Sequence, residues 1–412
     1  MNVLIFSFKI EFELALDFCI CFGKNNSFFA LYCKFKTIRF MKNLYIGLLF
    51  ASGLFSASAQ NYEFQKVNDV ECLPVISQDI TGTCWSFSTS SFLESEIIRL
   101  TGKKIDLSEM FQARTTYLAK AENYVMRQGK ANFSEGALAH DVLNSVAKNG
   151  LVPNSIFDGL NDDANKHNHA EMVAVLEAML KTYVSNPSGK LSKNWKQAVN
   201  AVLDIYLGSI PTKFEYEGKN YTPKSFAEFT KIKTENYVTL TSFTHEANYK
   251  PFILNIPDNF SNGGMYNLPL DEFIANIDNA LANGYSLSLD CDVSEATFSG
   301  KYGMAFVPEK EEDTKTGLAE IIIEKNITPE YRQQEFENLS TTDDHLMHIV
   351  GKVKDQKGNT YYKVKNSWGS DEKKVANGGY VYMSVPYMKL KAISVLVHKD
   401  GILKETKKKL GI

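Results

Sequence analysis

Helix-forming patterns come early in this chain and strand-forming patterns come late, and this order constrains the fold more than any other feature. An apolar stripe with helical spacing, formed by Leu93, Ile97 and Leu100, indicates a helix in the first third of the chain. From His345 to Met383 the alternation typical of strands dominates, with a hairpin turn at Asp355–Asn359. The sequence therefore predicts an α+β protein with two lobes, one helical and one built on a β-sheet.

The first sixty residues have the character of targeting sequence. Met41 opens a short basic start, which an apolar run and a small-residue A-x-A cleavage site follow, and these are the three parts of a secretory signal peptide. We therefore expect a signal peptide at 41–59, an exported protein that is periplasmic or secreted, and a folded domain over 60–412. Residues 1–40 are then expected to be a wrongly included upstream extension. The alternatives are a genuine extension and, for the apolar run, a transmembrane anchor, for which the run is short.

Composition narrows the class of protein. The 412 residues include 23% charged and 12% aromatic residues, which excludes a largely disordered chain. A formal charge of −3 provides no basic field, so we expect no nucleic-acid partner. After the predicted signal peptide the cysteines are Cys72, Cys84 and Cys291. An odd number in an exported protein implies at least one free thiol.

The residues that carry chemistry fall in two distant segments. Cys84 opens the first predicted helix, where unpaired backbone N–H groups and the helix dipole favour a thiolate. Gln78 precedes it and has a side-chain amide that could donate to an oxyanion. A nucleophilic cysteine needs a base, and the strand-rich segment supplies His345, with Asn366 on a following strand to orient the imidazole.

These segments resemble the signatures of papain-like cysteine peptidases: Gln-x5-Cys-Trp, a histidine six residues before a glycine, and Asn-Ser-Trp-Gly, in that order. The resemblance implies that Cys84 is the nucleophile, His345 the general acid/base and Asn366 the residue that orients it. It also implies an oxyanion hole made by Gln78 and the Cys84 N–H, and a Trp368 side chain that shields the His345–Asn366 hydrogen bond. The implied resting state is a thiolate beside an imidazolium.

The extra length between the cysteine and the histidine narrows the resemblance to the bleomycin hydrolase/aminopeptidase C branch. Tyr206–Phe229, Tyr266–Pro269 and Cys291–Val293 resemble that branch, and about 155–285 is expected to be a mainly helical insertion. The branch implies an aminopeptidase acting on short peptides, without a cofactor, assembled as a homo-hexamer. Its C-terminal arm enters the cleft, whereas the lysine-rich end of this chain is expected to be shorter and to lie in solvent.

A glycine pair that binds the substrate backbone in the family corresponds here to Gly136 and Ala137. No metal site is expected, because His167 and His169 have no further ligand at suitable spacing. No stable membrane insertion of the mature chain is expected. Two alternatives to the aminopeptidase stay open: an endopeptidase with an open cleft, and a catalytically silent papain-fold binding protein.

Overall fold

The structure is a computed structural model that describes residues 62–161 and 165–412. The helices in this part of the chain are α1 (Cys84–Thr101), α2 (Glu109–Met126), α3 (Ala139–Asn149), α4 (Ala170–Ser185), α5 (Trp195–Leu207), α6 (Pro223–Thr230), α7 (Leu270–Ala282), α8 (Pro329–Glu337), α9 (Val385–Lys391) and α10 (Lys404–Leu410). The strands are β1 (Gln65–Asp69), β2 (Phe214–Tyr216), β3 (Lys219–Tyr221), β4 (Tyr237–Thr241), β5 (Pro251–Ile253), β6 (Gly264–Asn267), β7 (Leu287–Cys291), β8 (Phe298–Ser299), β9 (Met304–Ala305), β10 (His345–Lys354), β11 (Thr360–Lys365), β12 (Tyr380–Ser384) and β13 (Ala392–His398).

Eleven of these strands form one mixed sheet, with β7, β10, β11 and β12 at its centre. The order is β5-β6-β4-β13-β7-β10-β11-β12-β9-β8, and β1 also pairs with β10. Neighbours are antiparallel except for β4 with β6 and β9 with β12. Strands β2 and β3 form a separate hairpin. The sequence expectation of helices followed by a sheet is confirmed.

Local sequence explains where the helices begin and end. The Ser108 hydroxyl accepts from the Phe111 N–H at the start of α2. Thr222 caps α6, and Pro223 occupies the first helical position, where its missing N–H costs nothing. Helix α1 ends at Gly102, whose φ of 71° is the left-handed conformation that glycine adopts without strain. Each of these boundaries thus follows from the residue at the cap.

Helix α1 packs between the helical lobe and the sheet, and this places its first residue at the junction of the two. The Ser88 hydroxyl, one turn after Cys84, donates to the Met347 carbonyl of β10 at 2.6 Å and lies 2.9 Å from the Ser288 hydroxyl of β7. On the other face of β7, Leu289 is fully buried in the core of the sheet lobe. The face of β7 that carries Ser288 therefore looks toward α1.

The segment 155–285 contains four helices, α4 to α7, among its described residues. It also contains the five short strands β2 to β6. Strands β4, β5 and β6 extend the main sheet beyond β13. The segment is therefore mainly helical, yet it also builds one end of the sheet that carries the predicted histidine.

The C-terminal helix α10 packs against α7. The buried Thr406 hydroxyl donates to the Glu272 carboxylate at 2.6 Å, and Lys409 forms an ion pair with the same carboxylate at 3.1 Å. Leu410 and Ile412 pack on the core of the sheet lobe. The lysine-rich end is therefore a helix with one solvated face and not a free tail, since Lys404, Lys408 and Lys409 are exposed while Thr406 is buried.

The predicted extension at 1–40 and signal peptide at 41–59 lie outside the described residues. Among the residues that are described, no helix is both long enough and apolar enough to cross a membrane.

Candidate active site

Cys84 lies at the first position of α1, as the sequence indicated, and its side chain is 8% exposed. Because it opens the helix, its backbone N–H has no acceptor within the helix and is available to a ligand. The backbone N–H of Leu346, the residue after His345, donates to the Cys84 sulfur. This contact brings the N-terminal end of α1 to the first residues of β10.

His345 and Asn366 meet as predicted across the start of β10 and the end of β11. The distance between His345 Nε2 and Asn366 Oδ1 is 2.8 Å. An amide oxygen only accepts, so Nε2 carries the proton and Nδ1 is the basic nitrogen left for a substrate or thiol proton. Asn366 Oδ1 also accepts from the Ser367 N–H at 2.7 Å, which holds the amide in place.

Trp368 covers this hydrogen bond. Its ring centroid lies 5.1 Å from that of His345, with the planes tilted by 35°. Phe298 supports the indole edge-on at 5.8 Å, and a Cβ on Gly300 would lie 3.0 Å from the ring. The indole is 40% exposed, so it separates the imidazole from solvent on one side only.

Gln78 lies in a loop that is fastened to the Asn366–Trp368 segment. Its backbone N–H donates to the Ser367 carbonyl at 2.8 Å, and its side-chain oxygen accepts from the Ser367 hydroxyl. The side-chain nitrogen donates to the Thr81 carbonyl at 2.6 Å. An amide nitrogen has two N–H groups, so one remains for an oxyanion.

Gly136 and Ala137 lie close to the cysteine loop. The carbonyl of Glu135 accepts from the Trp85 indole N–H at 2.8 Å, and its carboxylate accepts from the Gly82 N–H at 2.6 Å. Ala137 is fully buried, and the Gly136 carbonyl already accepts from the Lys120 ammonium group. A substrate-binding role for the Gly136 carbonyl would therefore require Lys120 to share it.

Burial bears on the ion pair that the resemblance implied. It raises the pKa of Cys84 to about 12, and the Leu346 N–H opposes this shift only in part. Burial lowers the pKa of His345 to about 4, against the opposing effect of the Asn366 hydrogen bond. A thiolate beside an imidazolium at this site must therefore be stabilised by the attraction between the two charges and by the N–H groups around the sulfur.

Three carboxyl groups, one buried and two half-buried, act through their charge on the Cys84 sulfur. The charges of Asp258, Asp343 and Asp290 all raise the pKa of Cys84, in addition to its burial. Asp258 follows β5, Asp290 is on β7 and Asp343 lies two residues before His345. These three residues are called the acidic cluster below.

Comparison with known proteins identifies the family. The model of the peptidase C1-like family matches residues 133–411. The chain belongs to this family.

An aminopeptidase G of Lactobacillus delbrueckii subsp. lactis is 23% identical to this peptidase over 382 residues, covering 82% of this chain and 83% of that protein. The crystal structure of PepW from Lactobacillus rhamnosis HN001 matches with a TM-score of 0.68 at 17% identity, over 94% of this chain and 95% of that one, which shows the papain-like fold. The chain is therefore a papain-like cysteine peptidase of the aminopeptidase C/bleomycin hydrolase branch.

The sequence prediction missed the acidic cluster and Glu135 in this C1-like peptidase. Asp343 and Asp344 directly before His345 were a visible signal, since acids next to a basic residue bear on its charge. Asp258 and Asp290 gave no signal, because only the fold brings the loop after β5 and the strand β7 to the cysteine. Glu135 stands in a loop with no recognisable motif.

The other two cysteines of the peptidase lie at different distances from this site. Cys72, Cys84 and Cys291 are all free thiols, in keeping with the odd count. Cys291 is buried and pairs with His345 across β7 and β10, whereas Cys72 is half-buried and its sulfur lies 3.5 Å from the Tyr380 hydroxyl. His348 is fully buried against α1, with Nδ1 3.0 Å from the Ser91 hydroxyl.

Proposed function

We propose that the chain is a cysteine aminopeptidase that releases N-terminal residues from short peptides, with Cys84 as nucleophile and His345 as general acid/base. The observation that carries this proposal is the His345 Nε2–Asn366 Oδ1 hydrogen bond at 2.8 Å, next to the Leu346 N–H that donates to the Cys84 sulfur. These contacts bring the base His345 and the thiol of Cys84, the two groups that a cysteine nucleophile needs, close together.

The reaction starts at the Cys84 sulfur. This atom attacks the scissile carbonyl carbon, and the thiol proton passes to His345 Nδ1. The Cys84 backbone N–H and the free N–H of Gln78 stabilise the oxyanion. His345 then gives its proton to the leaving amine, and an acyl group remains on Cys84.

Hydrolysis of the acyl group completes the cycle. Water attacks the thioester carbonyl while His345 takes its proton, and the proton returns to the departing sulfur. Asn366 keeps the imidazole in the tautomer that has Nδ1 free throughout, and Trp368 limits the access of competing water to that hydrogen bond. The chemistry needs no cofactor.

One observation favours a second candidate, an open-cleft endopeptidase. In the described residues the C-terminal helix α10 packs on α7 through Thr406, Lys409 and Ile412, and these contacts fix it to the sheet lobe. These contacts favour a cleft that α10 leaves open. Recognition of a free N-terminus must then come from other groups, or be absent.

The test uses a hexapeptide of mixed sequence and its N-acetylated twin, with products identified by mass spectrometry. We expect wild-type protein to release single residues from the free peptide and to cleave the acetylated twin much more slowly. Cys84→Ala should retain less than about a thousandth of kcat on both, because the covalent step is lost. Internal cleavage at equal rates on both peptides would favour the endopeptidase, and full activity of Cys84→Ala would exclude this site.

A further inference from the structure

The acidic cluster is a connected group of side chains from three separate segments. The Asp290 and Asp343 carboxyl groups are hydrogen bonded to each other, so one of the two holds a proton in the unliganded protein. Asp343 also accepts from the Asp258 backbone N–H. The cluster is thus a single site beside the cysteine.

The pairing of β7 with β10 places Asp290 on the side of the sheet that faces the catalytic cysteine. Asp290 pairs with Leu346 across β7 and β10, and paired residues of antiparallel strands project to the same face. Asp290 also lies two residues after Ser288, which contacts α1 through Ser88. Since the Leu346 N–H donates to the Cys84 sulfur, Asp290 flanks the same point.

The acids of the cluster lack the cation that buried acids normally have as a partner. Asp290 is 2% exposed, and apart from Asp343 its carboxyl group has a contact of 3.5 Å with the Ser394 hydroxyl. Among the described residues none of the three acids forms an ion pair. The buried Lys120 acts on Asp258 and Asp343 through its charge, but its ammonium group donates to the Gly136 carbonyl.

The other charged groups around the cluster do not supply the missing positive charge. Asp141 and Glu135 act on Lys120 together with the cluster, and Asp344 adds negative charge next to Asp343. Buried acids without a cation are costly, and these also hinder ionisation of the Cys84 thiol. A site of this kind gains stability when a ligand brings a positive charge.

The position of Asp290 beside the residue that contacts the sulfur indicates which cation fits. The α-amino nitrogen of a substrate's first residue is separated from the scissile carbonyl carbon by two bonds, or about 2.5 Å. An ammonium group there would lie directly beside a sulfur in contact with that carbon. A lysine side chain on a preceding residue carries its charge at the end of a long stem and reaches farther from the sulfur.

We propose that Asp258, Asp290 and Asp343 form a subsite that binds the free α-ammonium group of the residue to be released, taking the place of a terminal carboxylate. This inference rests on the proposed aminopeptidase function and adds the group that recognises its substrate. Binding replaces the proton shared by Asp290 and Asp343 with the substrate cation. It also offsets the negative charge that opposes ionisation of Cys84.

The experiment compares kcat/KM at pH 7 for alanyl-7-amido-4-methylcoumarin and its propionyl analogue, which lacks only the amino group. The propionyl compound removes the cation without adding the bulk of an acetyl group. We expect wild-type protein to prefer the alanyl compound by about ten- to a hundred-fold, as for one charge-assisted contact. Asp343→Asn should bring this ratio close to one, and Asp290→Asn should reduce it as well. The control Asp271→Asn, an exposed acid on α7, should keep the wild-type ratio.

A third pair of substrates separates the two sources of an ammonium group. Acetyl-lysyl-alanyl and acetyl-norleucyl-alanyl coumarin amides should be cleaved at similar rates. A lysine preference that Asp343→Asn abolishes would overturn the α-amino assignment and make the site one for basic side chains. Folding of each variant is checked by its thermal unfolding midpoint.

The outcomes distinguish this inference from the function on which it rests. An active wild-type enzyme that cleaves alanyl and propionyl compounds equally overturns the subsite and leaves the peptidase intact, and this result needs no variant to fold. A folded Asp343→Asn that keeps the wild-type ratio does the same. A wild-type protein that cleaves no substrate and does not lose activity with Cys84 overturns the proposed function itself.

Discussion

The catalytic group and the acidic cluster lie beside the same Cys84 sulfur, but their polar side chains are paired in different ways. On one side the amides and the imidazole of the catalytic group, Gln78, Asn366 and His345, have hydrogen-bond partners. On the other side the acidic cluster forms no ion pair among the described residues, and two of its acids share a proton. Satisfied hydrogen bonds fix geometry, which a reaction needs before substrate arrives, whereas acids without a cation can accept the positive charge that a substrate brings. The comparison assigns chemistry to the first side and recognition to the second.

The largest expected effect tests which histidine belongs to the catalytic side. His345→Ala should lower kcat/KM by about 10²–10⁴, because the general acid/base is lost. His348→Ala should instead lower stability by about 1–3 kcal/mol, since it leaves the buried Ser91 hydroxyl without this partner, while folded protein stays active. Steady-state kinetics and thermal unfolding of both variants separate loss of activity from loss of stability. An inactive but stable His348→Ala would make His348, and not His345, the general acid/base.

The next effect concerns the oxyanion. Gln78→Ala should lower kcat by about 10²–10³ with little change in KM, as expected for the loss of one preorganised donor. Ser367→Ala is the matched control, because it removes the hydroxyl that donates to the Gln78 oxygen without removing the amide. Ser367→Ala should lower kcat far less than Gln78→Ala does. A Gln78→Ala variant that changes KM alone would show that the amide binds substrate and does not act on the transition state.

The pH dependence sharpens the comparison, because only the acidic side titrates near neutrality. Burial raises the pKa of Asp343 to about 7, so the folded protein holds it protonated below this pH and ionised above it. The preference for a free over a blocked N-terminus should therefore rise as pH increases through about 7. It should fall again above about 8, where a peptide α-amino group loses its proton. Asp343→Asn should lose the rising limb, and a wild-type ratio independent of pH would contradict the role of the acid.

The smallest expected effect concerns the C-terminus. Deleting Lys407–Ile412 should leave the ratio of rates on free and N-acetylated peptides nearly unchanged, because α10 is fixed to α7 through Glu272. Some loss of thermal stability is expected from the lost packing of Leu410 and Ile412. If the intact protein ignores blocked peptides and the deletion admits them, the terminus closes the cleft and the acidic cluster does not select the N-terminus.

The sequence predicted those parts of the site that depend on local motifs. Gln78 and Cys84 lie in one loop and the helix start that follows it. His345 opens β10 and Asn366 directly follows the neighbouring strand β11, so spacing along the chain carries their arrangement. Ser108 and Thr222 cap their helices through equally local contacts.

The remaining features depend on contacts between distant segments. Asp258 and Asp290 reach the cysteine only through the register of β7 against β10 and the loop after β5. Burial raises the pKa of Cys84 and lowers that of His345, and a motif does not reveal burial. The docking of α10 on α7 likewise needed the structure, because its buried side is carried by Thr406 among lysines.

The most direct test of the central claim is the site of covalent labelling by an epoxysuccinyl thiol inhibitor, mapped by peptide mass spectrometry. Cys72 is half-buried and Cys84 is 8% exposed, so exposure alone predicts that Cys72 reacts first. Activation by His345 predicts the reverse: one adduct on Cys84, none on Cys72 or Cys291, and loss of the adduct in His345→Ala. An adduct on Cys72 with Cys84 unmodified, or labelling of Cys84 that does not depend on His345, would contradict a cysteine nucleophile at this site.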